Sequence, residues 1–150
     1  MIKQAWIGTG VLGWWLLQPG MALACSCDPA SASELFASDR VIAVRIDKLS
    51  SRRTPGGKIS SPVLLDVRAT VMEVFSGSDT VGAALELVTT DIGVSCGLGI
   101  RLQPQMSWMM FLRDGQIRIN ACDRHLLLTG SAGETYAALK AAVAEEEKSP

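Results

Sequence analysis

The chain is poor in the residues that usually carry catalysis and nucleic-acid binding. It has one histidine, one tyrosine and three phenylalanines, and aromatic residues make up 5% of its 150 positions. Fourteen basic groups face fifteen acidic ones, a formal net charge of −1, and no run of Lys and Arg is long enough to form a phosphate-binding stripe. A single-strand nucleic-acid platform needs a basic groove and several stacking aromatics, so that class is excluded. His125 stands apart from any G-x-S-x-G nucleophile motif, and Asp and Glu are scattered without marking an acid–base pair. The expectation is therefore a protein that is not an enzyme. With 48% hydrophobic and 19% charged residues the chain is not a disordered tail, and its length suits one ordinary domain.

Long apolar runs are also missing, with one exception at the start. Residues 1–24 read MIKQAWIGTGVLGWWLLQPGMALA: one charge at Lys3, an apolar stretch from Ala5 to Leu17, a Gln18-Pro19-Gly20 break, then Ala22-Leu23-Ala24. This is the charged start, short apolar core and small-x-small cleavage site of a secretory signal peptide. The apolar run is shorter than the roughly 20 residues that span a bilayer. Cleavage after Ala24 leaves a domain of residues 25–150 that begins Cys25-Ser26-Cys27, with 13 basic against 15 acidic groups, a net charge of −2. Trp6, Trp14 and Trp15 leave with the signal, and Trp108 alone stays. A lipoprotein route would instead put lipid on Cys25 and tie the chain to a membrane, but Ala22 stands where such signals usually carry leucine. The expected product is soluble, monomeric, and secreted, extracellular or periplasmic.

What remains is mostly strand pattern. Ser31-Ala32-Ser33-Glu34 has capping-box spacing before Leu35 and Phe36, which predicts a short helix. From Asp39 the period becomes two, with Ile42, Val44 and Ile46 on one side and Arg45 and Asp47 on the other. Residues 50–61 (SSRRTPGGKISS) form a turn-rich connection in which Arg52 and Arg53 read as solvated. Val63, Leu65, Val67, Ala69 and Val71 make a second alternation, opposed by Asp66, Arg68 and Thr70. Gly77 and Gly82 bracket a break before a strand from Ala83 reading ALELVTT. Trp108, Met110 and Leu112 alternate up to an Asp114-Gly115 hairpin turn, after which Gln116 to Ala121 is expected to return as a strand. Ser131-x-x-Glu134 opens a longer helix with Tyr136, Leu139 and Val143 as its apolar stripe; Glu145, Glu146 and Glu147 oppose its dipole and predict a frayed tail. Five strands, one short helix before them and one longer after, fit a mainly β, five-stranded antiparallel barrel of the OB type. A β-sandwich, which usually needs about seven strands, is second.

Four cysteines, Cys25, Cys27, Cys96 and Cys122, survive export into a compartment that permits disulfides. They allow three pairings. A Cys25–Cys27 bond would close a very tight ring, and both crossed alternatives tie the new amino terminus to Cys96 and Cys122. Each long loop so closed contributes roughly 4 kcal/mol in the chain-entropy account. A structural zinc site is disfavoured, since Cys-x-Cys is tighter than the usual spacing, although His125 lies close to Cys122. His125, in a polar Cys-Asp-Arg-His stretch, reads as a surface or hydrogen-bonded residue.

The arrangement resembles the netrin-like N-terminal domain of the tissue inhibitors of metalloproteinases. The matching features are Cys25-Ser26-Cys27 then Pro29, Phe36 ending a short helix, the Asp39-Arg40-Val41-Ile42 strand start, Val88-Thr89-Thr90 followed by Ser95-Cys96-Gly97, and Asn120-Ala121-Cys122-Asp123. Each motif alone is weak; their order and spacing over residues 25–147 carry the likeness. The resemblance implies disulfides Cys25–Cys96 and Cys27–Cys122, and an inhibitory ridge of Cys25, Ser26, Cys27, Asp28, Gly93, Val94 and Ser95. It further implies that the α-amine and carbonyl oxygen of Cys25 chelate the catalytic zinc of a secreted or surface metalloprotease. The zinc belongs to the target, and the inhibitor needs no cofactor of its own. A catalytic zinc keeps one open position, which such a five-membered chelate can fill in place of water. An α-amine with a pKa of roughly 8 meets little proton competition near neutrality. The bridges would pre-order the terminus, and Ser26 would point into the specificity pocket with little discrimination between targets. Two departures stand out: Ala37 occupies the place of a family cysteine, so a third disulfide is missing, and the family's disulfide-rich C-terminal domain has no counterpart. The alternative is a netrin-like protein-binding module, secreted or anchored to an envelope, without protease inhibition.

Overall fold

In the computed structural model, residues 31–53, 63–90 and 101–148 are described. The first element, α1 (Ala32–Phe36), starts where the capping box predicts: the Ser31 hydroxyl accepts the Glu34 N–H and the Glu34 carboxylate accepts the Ser31 N–H at 3.1 Å. Five strands follow: β1 (Arg40–Arg52), β2 (Leu64–Ser76), β3 (Ala84–Thr90), β4 (Ser107–Leu112) and β5 (Leu126–Leu127). The chain then enters α2 (Ala132–Glu146), whose first turn is capped by Ser131 accepting the Glu134 N–H. The strands form one antiparallel sheet in the order β3-β2-β1-β4-β5.

The alternation in the sequence becomes a two-sided core. Ile42, Val44 and Ile46 of β1, Val67, Ala69 and Val71 of β2, Leu87 of β3, and Trp108, Met110 and Leu112 of β4 bury together on one face. Leu102 and Ile119, from segments outside the strands, join them. Val41, Met109 and Phe111 point the other way and are buried by the helices, with Leu35, Tyr136 and Leu139 packed over them. Aromatic contacts tie that layer together. Tyr136 stacks on Phe75 at 4.3 Å and meets Phe36 edge-on at 5.4 Å, while Phe36 meets Phe111 edge-on. Away from the helices the outer face is polar: the Thr70 hydroxyl donates to Asp47 at 2.6 Å, and this bond more than any other holds the Asp47 carboxyl below its ordinary range.

The pairing of β1 with β2 is irregular. Its register between β1 and β2 shifts between Val41 and Ile42, between Ala43 and Val44, and between Ile46 and Lys48. Each irregularity raises the local twist and bends the strand. Beyond the last β4 pair, Ile46 stays bonded to the segment before β4, donating to Met106 O at 2.8 Å and accepting from Gln105 N–H at 2.7 Å. The turn after β2 needs glycine. Gly77 sits at φ +105°, and a Cβ there would lie 2.9 Å from Arg40 Cγ. That close approach seats Arg40 against Asp79, where two bonds of 2.7 and 2.6 Å join side chains only 12% and 13% exposed. The hydrogen bond from Arg40 outweighs burial and keeps the Asp79 carboxyl below the usual carboxylate range.

One expectation is corrected. Gln116–Ala121 is not a returning strand: Arg118 makes an isolated parallel bridge to Val88, and the fifth strand is Leu126–Leu127. Only Ile119 of that segment enters the core, while Ile117 remains 60% exposed, and the segment's backbone bonds go to Val88 of β3 instead of to β4. Among the described residues the antiparallel sheet runs from β3 at one end of its strand order to β5 at the other. The C-terminal helix α2 runs to Glu146, whose carboxylate accepts the Ser33 N–H at 3.3 Å and so fastens α2 to the first turn of α1. Glu146 is unfavourable for its own helix dipole but favourable for the neighbour's.

Candidate functional site

The expected ridge residues Cys25, Ser26, Cys27, Asp28, Gly93, Val94 and Ser95, with Cys96, lie outside the described residues. What is described is the frame around them: the cap of α1 at Ser31, the end of β3 at Thr90, and the segment that carries Cys122. Cys122 is disulfide-bonded, and the other three cysteines are outside the described residues.

Cys122 sits in a 3-10 turn, Ala121–Asp123, built by its own polar side chains. The Asn120 side chain accepts the Cys122 N–H at 2.8 Å, and Asp123 Oδ2 accepts the Asn120 N–H at 2.8 Å. Gln116 adds a third tie, donating from Nε2 to Asp123 Oδ2 at 3.2 Å and to Arg118 O at 2.9 Å. The turn ends at Arg124, which adopts left-handed φ 60°, ψ 34°. A non-glycine residue held there costs of order 1 kcal/mol or more, and the surrounding bonds offset it. The left-handed step turns the next side chain, His125, inward.

His125 is the buried polar centre of this segment, its side chain fully shielded from solvent. Its Nδ1 accepts the Phe111 N–H at 3.2 Å, so the neutral ring carries its proton on Nε2. Nε2 has no hydrogen-bond partner among the described residues and lies 3.8 Å from Asp123 Oδ2. Burial pushes the imidazole pKa down to about 4, against a smaller upward pull from the Asp123 charge. His125 is thus neutral at physiological pH and ties the Cys122 turn to β4. The expectation of a hydrogen-bonded residue holds, but the residue is interior and not on the surface. Among the described residues no three His, Cys, Asp or Glu side chains are grouped to hold a metal. No described helix is long and apolar enough to cross a membrane.

On the other side of the frame, β3 runs toward residues 91–100 with Thr89 buried and Thr90 at its end. Val88 donates to Ile117 O at 2.8 Å and accepts from Ile119 N–H at 2.9 Å, so the end of β3 and the approach to Cys122 are bonded together. The end of β3 and the segment leading to Cys122 therefore belong to one hydrogen-bonded seam. The sequence marked Asn120 and Asp123 only as neighbours of Cys122 in the Asn120-Ala121-Cys122-Asp123 motif, and it did not show that they build this seam with Gln116 and Arg124. Asn120-x-x-Asp123 has the spacing of a cap and was the available signal.

No family model matches the chain, and no characterised protein matches it at a significant level.

Proposed function

We propose that the mature protein begins at Cys25 and is a secreted, monomeric inhibitor of zinc metalloproteases, of the kind that the tissue inhibitors of metalloproteinases exemplify. The α-amine and carbonyl oxygen of Cys25 occupy the open position of the target's zinc, and Ser26 enters the adjoining pocket. Asp28 continues that edge, and Gly93, Val94 and Ser95 form a second edge beside it, with disulfides Cys25–Cys96 and Cys27–Cys122 holding the two together. The observation that carries this reading is the Cys25-Ser26-Cys27 tripeptide directly after Ala22-Leu23-Ala24, in a chain whose Cys122 is disulfide-bonded within a doubly capped turn. A bridge anchored in such a turn removes ordering cost from a binding terminus.

The finer fold reading is an OB-type barrel. It is supported by the parallel Val88–Arg118 bridge, which joins the outer edge strand β3 to the chain just past β4, and by Leu102 and Ile119 filling the inner core. Such a curl would place both cysteine-bearing connections at one end of the barrel.

Capture of partners from the secreted fraction on the immobilised chain from Cys25 tests the function. A zinc metalloprotease that is retained, and is released or lost when a zinc chelator strips its metal, is the expected result. Capture that is indifferent to the chelator would support the binding-module reading instead.

A further inference from the structure

A cavity of about 500 Å³ lies between α1 and the Cys122 turn. Leu35 and the buried Phe111 supply its apolar surface, and Ser38, Arg113 and Arg124 supply hydrogen-bond donors. Two carboxylates also line it, but both are engaged. Asp123 Oδ2 accepts from Asn120 N–H and Gln116 Nε2, and Glu34 Oε2 accepts from Ser31 N–H and from Arg124 Nη1.

The cations are under-used by comparison. The Arg113 guanidinium has no hydrogen bond or ion pair among the described residues. Arg124 makes one contact of 3.4 Å to Glu34 out of the five N–H groups a guanidinium offers. Its side chain is 30% exposed, so a charge partner there would be less screened than at the open surface. The left-handed backbone of Arg124 fixes where that side chain starts.

We propose that this cavity is a carboxylate-binding site, in which Arg113 and Arg124 pair with the carboxylate, the Ser38 hydroxyl adds a hydrogen bond, and a short apolar stem rests on Leu35 and Phe111. The two acidic neighbours balance the two arginines, which suits a carboxylate better than a doubly charged phosphate. The carboxylate can come from a free small molecule or from an acidic side chain of a peptide. The inference does not depend on protease inhibition, because none of its residues belongs to the proposed ridge.

Amide chemical shifts of the disulfide-intact chain from Cys25 test it, titrated separately with succinate, with a capped Asp-containing tripeptide and with inorganic phosphate. Saturable changes centred on Phe111, Arg113 and Arg124, weaker in added salt, are expected with at least one carboxylate probe, and which probe acts identifies the source. Arg113→Gln, at an exposed and unpartnered position, should fold normally and weaken the binding about tenfold, the effect of one charge-assisted contact. Arg113→Lys should recover part of it. The proposal is overturned by no saturable change with either carboxylate up to roughly 50 mM, by phosphate binding as well as the carboxylates, or by unchanged affinity in Arg113→Gln.

Discussion

A chain beginning at Cys25 can be unfolded in urea at a series of pH values and followed through Trp108, its single tryptophan, which is 4% exposed in the folded state. The structure dictates the shape of the resulting profile through His125. The folded imidazole has a pKa of about 4, lowered from 6.5 because a charge there would be cut off from water. Between those two values the unfolded chain binds a proton that the folded chain refuses, so stability falls as pH falls. The contribution is complete above pH 6.5 and is lost by about pH 4. At about 1.4 kcal/mol per pKa unit, the loss is roughly 3 kcal/mol, a large part of the stability of a domain this size. In His125→Gln the side-chain oxygen can still accept the Phe111 N–H, and nothing titrates. The variant should be less stable than the parent at neutral pH, and the gap should close on acidification as the parent alone declines. Parallel profiles for parent and variant from pH 6.5 to 4 would instead mean that the ring is charged or hydrated in the fold.

Other expectations follow from the same packing. Asp79→Ala leaves the Arg40 guanidinium buried without its partner and should cost about 3 kcal/mol in urea unfolding. The Arg40-bound carboxylate, held below its usual range, should add a separate stability loss that begins only below the unfolded carboxyl value near 3.8. Gly77→Ala puts a methyl group 2.9 Å from Arg40 Cγ at φ +105° and should destabilise by about 2 kcal/mol in the same assay, more than an exposed turn substitution would. Tyr136→Ala removes the stack on Phe75 and the edge contact to Phe36. It should cost about 2–3 kcal/mol and raise amide hydrogen exchange in α1 and α2 ahead of β1 and β2.

The parts of the fold legible in the sequence are those where one physical signal dominates. Period-two burial gave Ile42, Val44 and Ile46, then Val67, Ala69 and Val71, and all six are in the core. The two serine caps gave both helix starts, because a hydroxyl three residues before an N–H is a local event. Errors arose where a long-range contact overrides a local pattern. Ile117-Arg118-Ile119 alternates like a strand, yet its bonds go to Val88 across the sheet. The two-residue β5 is too short to show a period, and Leu126 is read only through its pairing with Met109. The burial of His125 follows from the left-handed Arg124 beside it, which no composition rule reveals. The Glu146 carboxylate serves another helix, a contact across 113 residues that no local pattern marks. Of the candidate site, the sequence marked Cys122 and Thr90, but not the Asn120–Asp123–Gln116 bonds that hold Cys122 in its turn.

On the proposed function, the backbone nitrogen and oxygen of Cys25 make the grip on a partner. The inhibition constant of the chain from Cys25 against a zinc metalloprotease of its own source should be compared with that of the same chain carrying one added alanine before Cys25. The extension is expected to abolish inhibition while the urea unfolding curve stays the same. Equal inhibition by both chains would contradict it.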